Sequence, residues 1–142
     1  MSRLSTLRLA GATALGCVIG LTGAGAAMAA VPHISAHPNN LMVNTATSLT
    51  GRGFAPSTSL TVEECGQKDW IAPQNPCDST NSVTVMTSKH GTFTTPFTAQ
   101  TCPGGKNKGP GFSERCYIGV PQPSGIDTIA LVGAVRITVT GP

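Results

Sequence analysis

The stretch SLTGRGFAPSTSLTVEEC, residues 48–65, followed after eleven further residues by Cys77, decides how this chain is read. It reads as a strand, a Gly/Pro turn, a second strand and a cysteine in need of a partner. Side chains alternate across a strand with period two. Leu60 and Val62 therefore share one face of the second strand, and Thr61, Glu63 and Cys65 share the other. A bond from Cys65 to Cys77 would lie on the outer or concave face of a sheet, away from the core that Leu60 and Val62 enter. Such a bond walls a pocket rather than pins a core.

Upstream, Arg3 and Arg8 give a positive start, residues 9–21 are mostly apolar and small, and Ala27-Met28-Ala29 has the A-x-A form of a cleavage site. These features predict a secretory signal peptide over residues 1–29 and a mature domain over 30–142. The apolar run is short and rich in Gly and Ala, which argues against a membrane helix. Residues 14–16 fit a lipid-attachment site at Cys17 poorly, and no Arg-Arg pair is present. A general secretory route is expected, with an extracellular product and no membrane attachment after cleavage.

Cleavage leaves 113 of the 142 residues, the size of one small domain. Arg3 and Arg8 leave with the leader, so seven Lys and Arg face six Asp and Glu and the net charge falls from +3 to +1. No strong field for nucleic acid follows from that balance. Cys17 also leaves. Cys65, Cys77, Cys102 and Cys116 remain, and an even number in an exported domain reads as two disulfides. Four cysteines allow three pairings. Cys65–Cys77 and Cys102–Cys116 are favoured because each closes a short local loop. Neither pair has the tight C-x2-4-C spacing of a zinc site.

The mature part is rich in Thr, Ser, Val, Gly and Pro, and no window carries a helical stripe. Short alternating segments between turn residues predict an all-β sandwich. Seven strands are expected, at 33–37, 45–51, 58–65, 82–87, 92–99, 115–120 and 134–140. Residues 88–91 form a hairpin turn, with Gly91 free to take positive φ. Pro96 cannot donate to a ladder, which places its strand at an edge or a bulge. Residues 102–111 and 121–125 read as loops, and 129–132 is ambiguous between strand and helical turn.

Catalytic patterns are scarce. His33 and His37 sit between Pro32 and Pro38, so a helical metal pair is not expected, and His90 falls in a turn. Glu63 and Glu64 are adjacent on a strand and face opposite ways, so they cannot act as an acid/base pair. No G-x-S-x-G elbow is present, and the glycine-rich loop 104–109 lacks the order of a phosphate loop. Lys106, Lys108 and Arg115 offer a weak basic display. Trp70 lies inside the 65–77 loop, either as a lid on the core or as a stacking surface for a flat ligand.

Residues 49–56, then Leu60-Thr61-Val62 ending at Cys65, resemble the neocarzinostatin family of actinobacterial enediyne-antibiotic apoproteins. So do residues 89–94 and 116–120. The resemblance implies a seven-stranded immunoglobulin-like β-sandwich with two local disulfides. It also implies export and a carrier role, in which a non-covalent enediyne-like chromophore is shielded in a cleft. DNA would be met only through that cargo. The resemblance places Thr61, Glu63, Cys65 and Cys77 along the cleft. Glu63 stands where a small residue would leave more room, and the aromatic ribbon before the second disulfide is replaced by a Pro/Gly/Lys loop.

The expected protein is a monomeric, non-catalytic binder of an apolar aromatic small molecule. Its site is expected at Thr61, Glu63, Cys65, Trp70, Cys77, Val120, Gln122 and Ser124. The alternative is a surface module that keeps the scaffold without a chromophore and displays the Lys106/Lys108 loop to a protein or a wall polymer. The exported protein is expected to begin at Ala30, which N-terminal sequencing of secreted material checks.

Overall fold

The computed structural model describes residues 30–105 and 109–142. The leader and Lys106 to Lys108 lie outside the described residues. Nine strands and no helix occur among those described. They are β1 (His33–His37), β2 (Asn40–Met42), β3 (Ala46–Arg52), β4 (Ser59–Cys65), β5 (Asp69–Ile71), β6 (Cys77–Met86), β7 (Phe93–Thr98), β8 (Ser113–Gly125) and β9 (Thr128–Thr140). The strand order is β6-β4-β8-β9-β1-β3-β7, with β2 and β5 also paired to β9.

The order folds into two layers. One carries β6-β4-β8-β9 and the other carries β1-β3-β7, and the two join where His33 pairs with Gly133. Strand β9 is the shared member. One of its edges runs along β8. The other is divided among β5 at residues 128–130, β1 at Gly133, and β2 at residues 138–140.

The all-β sandwich and both disulfides are as the sequence predicts. The strand count is nine rather than seven. Strands β2 and β5 are three residues each, too short to show an alternating pattern, and they exist because β9 offers them an edge. Residues 121–125 are not a loop but the outer half of β8. β4 pairs with β8 only as far as Gly119. Beyond that point β8 has an open edge, where the missing donors of Pro121 and Pro123 cost little. Residues 129–132 belong to β9 and are strand.

Between the layers lies an aliphatic core. Ile34, Leu49, Leu60, Val62, Ile118, Ile137 and Val139 are buried in it, with Phe54, Phe93 and Phe97. Each such side chain stabilises the fold by roughly 1.5–3 kcal/mol. The alternation of β3 delivers Thr47, Leu49 and Gly51 inward, and that of β4 delivers Leu60, Val62 and Glu64. Gly91 has φ +69°, and a Cβ there would collide with the carbonyl of Phe54. Only glycine lets the β6–β7 turn close over Phe54, whose ring packs 5.6 Å from that of Phe93. Pro96 lies on β7, an end strand of the order, as the missing donor requires.

Glu64 is the polar exception inside. Its residue surface is 0% exposed. The register of β4 on β6 jumps from Glu63↔Ser82 to Glu64↔Asp78, which frees residues 79–81 from the ladder. Asn81 uses that freedom. Its Nδ2 donates to Glu64 Oε2 at 2.7 Å and to the Thr98 carbonyl at 3.1 Å, tying β6 to β7. The Gln100 amide donates to the same carboxylate oxygen at 2.9 Å, while Glu64 Oε1 is buried with no hydrogen bond among the described residues. Desolvation raises this carboxyl to about 7, against the lowering effect of Gln100 and Asn81.

A carboxyl with a raised folded-state pKa keeps its proton while the unfolded chain loses it. The associated stability is complete below about pH 4.5 and drains away as pH rises through about 7. The expected loss is up to about 3 kcal/mol at roughly 1.4 kcal/mol per pKa unit. Urea midpoints at pH 4.5 and 7.5 check it, and Glu64→Gln should flatten the difference.

Candidate functional site

At its C-terminal end β4 buries side chains on both faces. Glu64 continues the inward phase of Leu60 and Val62. Cys65, in the opposite phase, is also 0% exposed, yet it does not touch the main core. It belongs to a second apolar cluster with Trp70 and Leu131, against which Cys77, Tyr117, Ile129 and Ala134 pack. The cover is local in origin. The Cys65–Cys77 bond closes a loop of 12 residues' separation, and β5 within that loop lays Trp70 beside Ile129 of β9. Trp70 is 5% exposed and acts as the lid of this cluster.

The cluster continues into a hollow of about 350 Å³. Leu131 and Ala134 form the common boundary. The remaining wall is Val31, Pro32, Val132 and Gly133, with Lys68 and His33 supplying the polar groups. Gly119 keeps this part of the sheet thin, since a Cβ on it would lie 2.9 Å from Leu131 Cβ and 3.3 Å from Ala134 Cα. The volume is at the lower end of the usual range for small-molecule sites.

Further along the same face of β4, Glu63 is half-buried and Thr61 is exposed. A carboxylate oxygen of Glu63 and the sulfurs of Cys65 and Cys77 lie within 4.8 Å of one another. Desolvation raises the Glu63 carboxyl, and the neighbouring Asp78 charge adds to the rise. Asp78 is itself held low by hydrogen bonds from Thr80, whose Oγ1 donates at 2.6 Å and whose amide donates at 2.9 Å. The second disulfide has its own acid. A carboxylate oxygen of Glu64 lies within 4.8 Å of the sulfurs of Cys102 and Cys116. Two consecutive residues thus set one carboxyl beside each disulfide, on opposite faces of a single strand.

The two disulfide-closed loops meet at Gly66. Its amide donates to the Pro76 carbonyl at 2.9 Å, and a Cβ on it would collide with the Pro103 carbonyl. Two polar grooves share Gly66, Pro103 and Gly104. One, of about 360 Å³, adds Gln67, Gln74, Asn75 and Pro76. The other, of about 270 Å³, adds Cys102, Gly105, Glu114 and Arg115.

The structure brings Cys65, Trp70 and Cys77 together, with Glu63 against the bond and Thr61 two residues before it on the strand. Val120 lies in the main core instead. Gln122 and Ser124 are exposed on the outer half of β8, where Gln122 pairs with Ala130 across from Asp69. Sequence reasoning missed Lys68, Leu131 and Ala134, which line the hollow, and the burial of Glu64. The phase of Leu60 and Val62 carried the signal for Glu64. Nothing local marked the other three, since β5 and the N-terminal segment bring their surroundings from far along the chain.

No family model matches the chain, and no curated protein matches it. Among solved structures it is similar to macromomycin, of the neocarzinostatin family. The identity is 16%, over 78% of this chain and 99% of that one, with a TM-score of 0.49.

Gly66→Ala is expected to force the two loops apart and to cost about 2 kcal/mol, in the range for overpacking. Gly109→Ala, with no described residue within 4 Å of its added Cβ, should stay within about 0.5 kcal/mol. Thermal melts of the two variants check the contrast.

Proposed function

We propose that the protein is an exported, non-catalytic carrier that holds an apolar small molecule against the second cluster. One observation carries this reading. Apolar surface around Cys65, Trp70 and Leu131 is gathered outside the main core, and it opens through Leu131 and Ala134 into a hollow of about 350 Å³. A fold that needed only stability would bury such groups between its layers. Lys68 and His33 at the rim favour a ligand with an anionic or hydrogen-bond-accepting group on an apolar frame. Thr61, Glu63 and Cys65 follow one another on the same face of β4, outside the lining of the hollow, and the reading extends the ligand's contacts to them and to Gln122 and Ser124 of β8. Two disulfides suit an oxidising, extracellular setting.

The alternative reading is a surface module that binds through the Lys106/Lys108 loop. The paired grooves at the root of that loop favour it. The two readings separate on which change abolishes binding: filling the hollow or shortening the loop.

The test uses anilinonaphthalene sulfonate, which joins a flat apolar frame to an anionic group. Binding should perturb Trp70 emission at micromolar probe. Ala134→Phe should abolish it by occupying the hollow, and Lys68→Glu should weaken it about tenfold by reversing the rim charge. An unchanged Trp70 signal at high micromolar probe would sink the carrier reading.

A further inference from the structure

The carboxyl of Glu64 has no task in the binding site, and its setting is unusual. It is fully buried, its Oε1 has no hydrogen bond among the described residues, and a carboxylate oxygen lies within 4.8 Å of both sulfurs of Cys102–Cys116. The groove of about 270 Å³ at the meeting of the loops is lined by Cys102 itself. Cys102 lines the groove and is 4% exposed, whereas Cys116 is 0% exposed and is not part of the lining. Glu114 and Arg115 both line this groove, so its wall carries charge of both signs.

We propose that Cys102–Cys116 is a thiol-exchange site, with Cys102 the sulfur attacked by a small external thiolate and Glu64 the proton donor to Cys116. The thiolate bonds to Cys102 Sγ. The bond to Cys116 breaks, and its electron pair leaves on Cys116 Sγ. That sulfur takes the proton of the Glu64 carboxyl. The products are a mixed disulfide at Cys102, a Cys116 thiol and a Glu64 carboxylate; the incoming sulfur is oxidised as that of Cys116 is reduced. A buried thiolate without a donor is a poor leaving group. The carboxylate that forms already accepts from Asn81 Nδ2 and the Gln100 amide. Burial raises the Glu64 carboxyl to about 7, so the donor is loaded below neutral pH and is lost above it.

The other disulfide is more accessible, since Cys77 is half-buried, but its surroundings are hostile to a thiolate. Glu63 lies beside its sulfurs, and Asp78 is held in its charged form by Thr80. The buried carboxyl of Glu64 beside Cys102–Cys116 therefore reverses the order that exposure alone would give. The groups facing Glu64 are Asp78 and Asn81 of β6, Gln100 after β7, and Cys116 of β8. Glu114 and Arg115 precede Cys116 and line the groove, and Glu63 lies on the opposite face of β4.

The test treats the whole mature chain with 2-mercaptoethanol under native conditions between pH 5.5 and 8.5. Acid quenching and peptide mapping by mass spectrometry locate the products. The expected first product is an adduct on Cys102 with a free thiol at Cys116, formed before Cys65–Cys77 opens. Its rate per attacking thiolate should fall about tenfold per pH unit above pH 7, as the donor is lost. Glu64→Gln should slow it at least about tenfold at pH 6, and His90→Gln, in an exposed turn away from both disulfides, should leave it unchanged. The proposal is overturned if Cys65–Cys77 opens first, if the adduct sits on Cys116, or if both bonds open together at the global unfolding rate. A pH-independent wild-type rate per thiolate also overturns it, and that measurement needs no variant.

Discussion

Strand β4 is a partition, and the rest of the molecule depends on it. Most strands of a sandwich bury one face and wet the other. The last residues of β4 bury both. Leu60, Val62 and Glu64 look into the space between the layers, while Cys65 looks into a separate apolar cluster under Trp70. Period-two geometry forces this division, because residues 64 and 65 cannot share a side. Each disulfide then falls to one side of the partition. Cys102–Cys116 belongs to the main core, and Cys65–Cys77 belongs to the smaller cluster.

That division explains why a chain with few aromatics places its only tryptophan away from the main core. Trp70 covers a bond and a leucine at the sheet's other face, and the covering strand is held by a loop that the bond itself closes. The arrangement is self-supporting, and it leaves apolar surface at the boundary with the hollow. Gly119 serves the same end by letting Leu131 and Ala134 approach the sheet.

Much of this was legible from local pattern. The strand at 33–37 and the β4 phase are as expected, as are Gly91 in its turn, Pro96 on an end strand and both disulfide pairs. Local pattern failed where partners were distant. Asp69-Trp70-Ile71 has no alternation to display, yet it pairs with residues 128–130 because β9 has an unfilled edge there. Residues 78–81 look like a polar loop, but the Cys65↔Cys77 register draws part of them into β6. Pro121 and Pro123 look like loop residues until β4 is seen to leave the side of β8 that they face. For the site, the disulfide and tryptophan could be named from the sequence. The hollow's floor could not, because Leu131, Ala134, Lys68 and Val31 are joined only by the fold.

The shared role of β9 has a consequence for how the molecule is made. Strands β1, β2 and β5 all wait for an edge that belongs to the last strand in chain order. Until β9 is in place, the early part of the domain lacks the strand whose backbone ladder joins the two layers, with the β6–β7 turn and the Asn81–Thr98 bond as links between them. The pairings of β1 and β2 with β9 join residues at opposite ends of the domain, His33 with Gly133 and Asn40 with Thr138, which makes closure a late step. A chain delivered N-terminus first thus stays open and threadable until its final segment arrives.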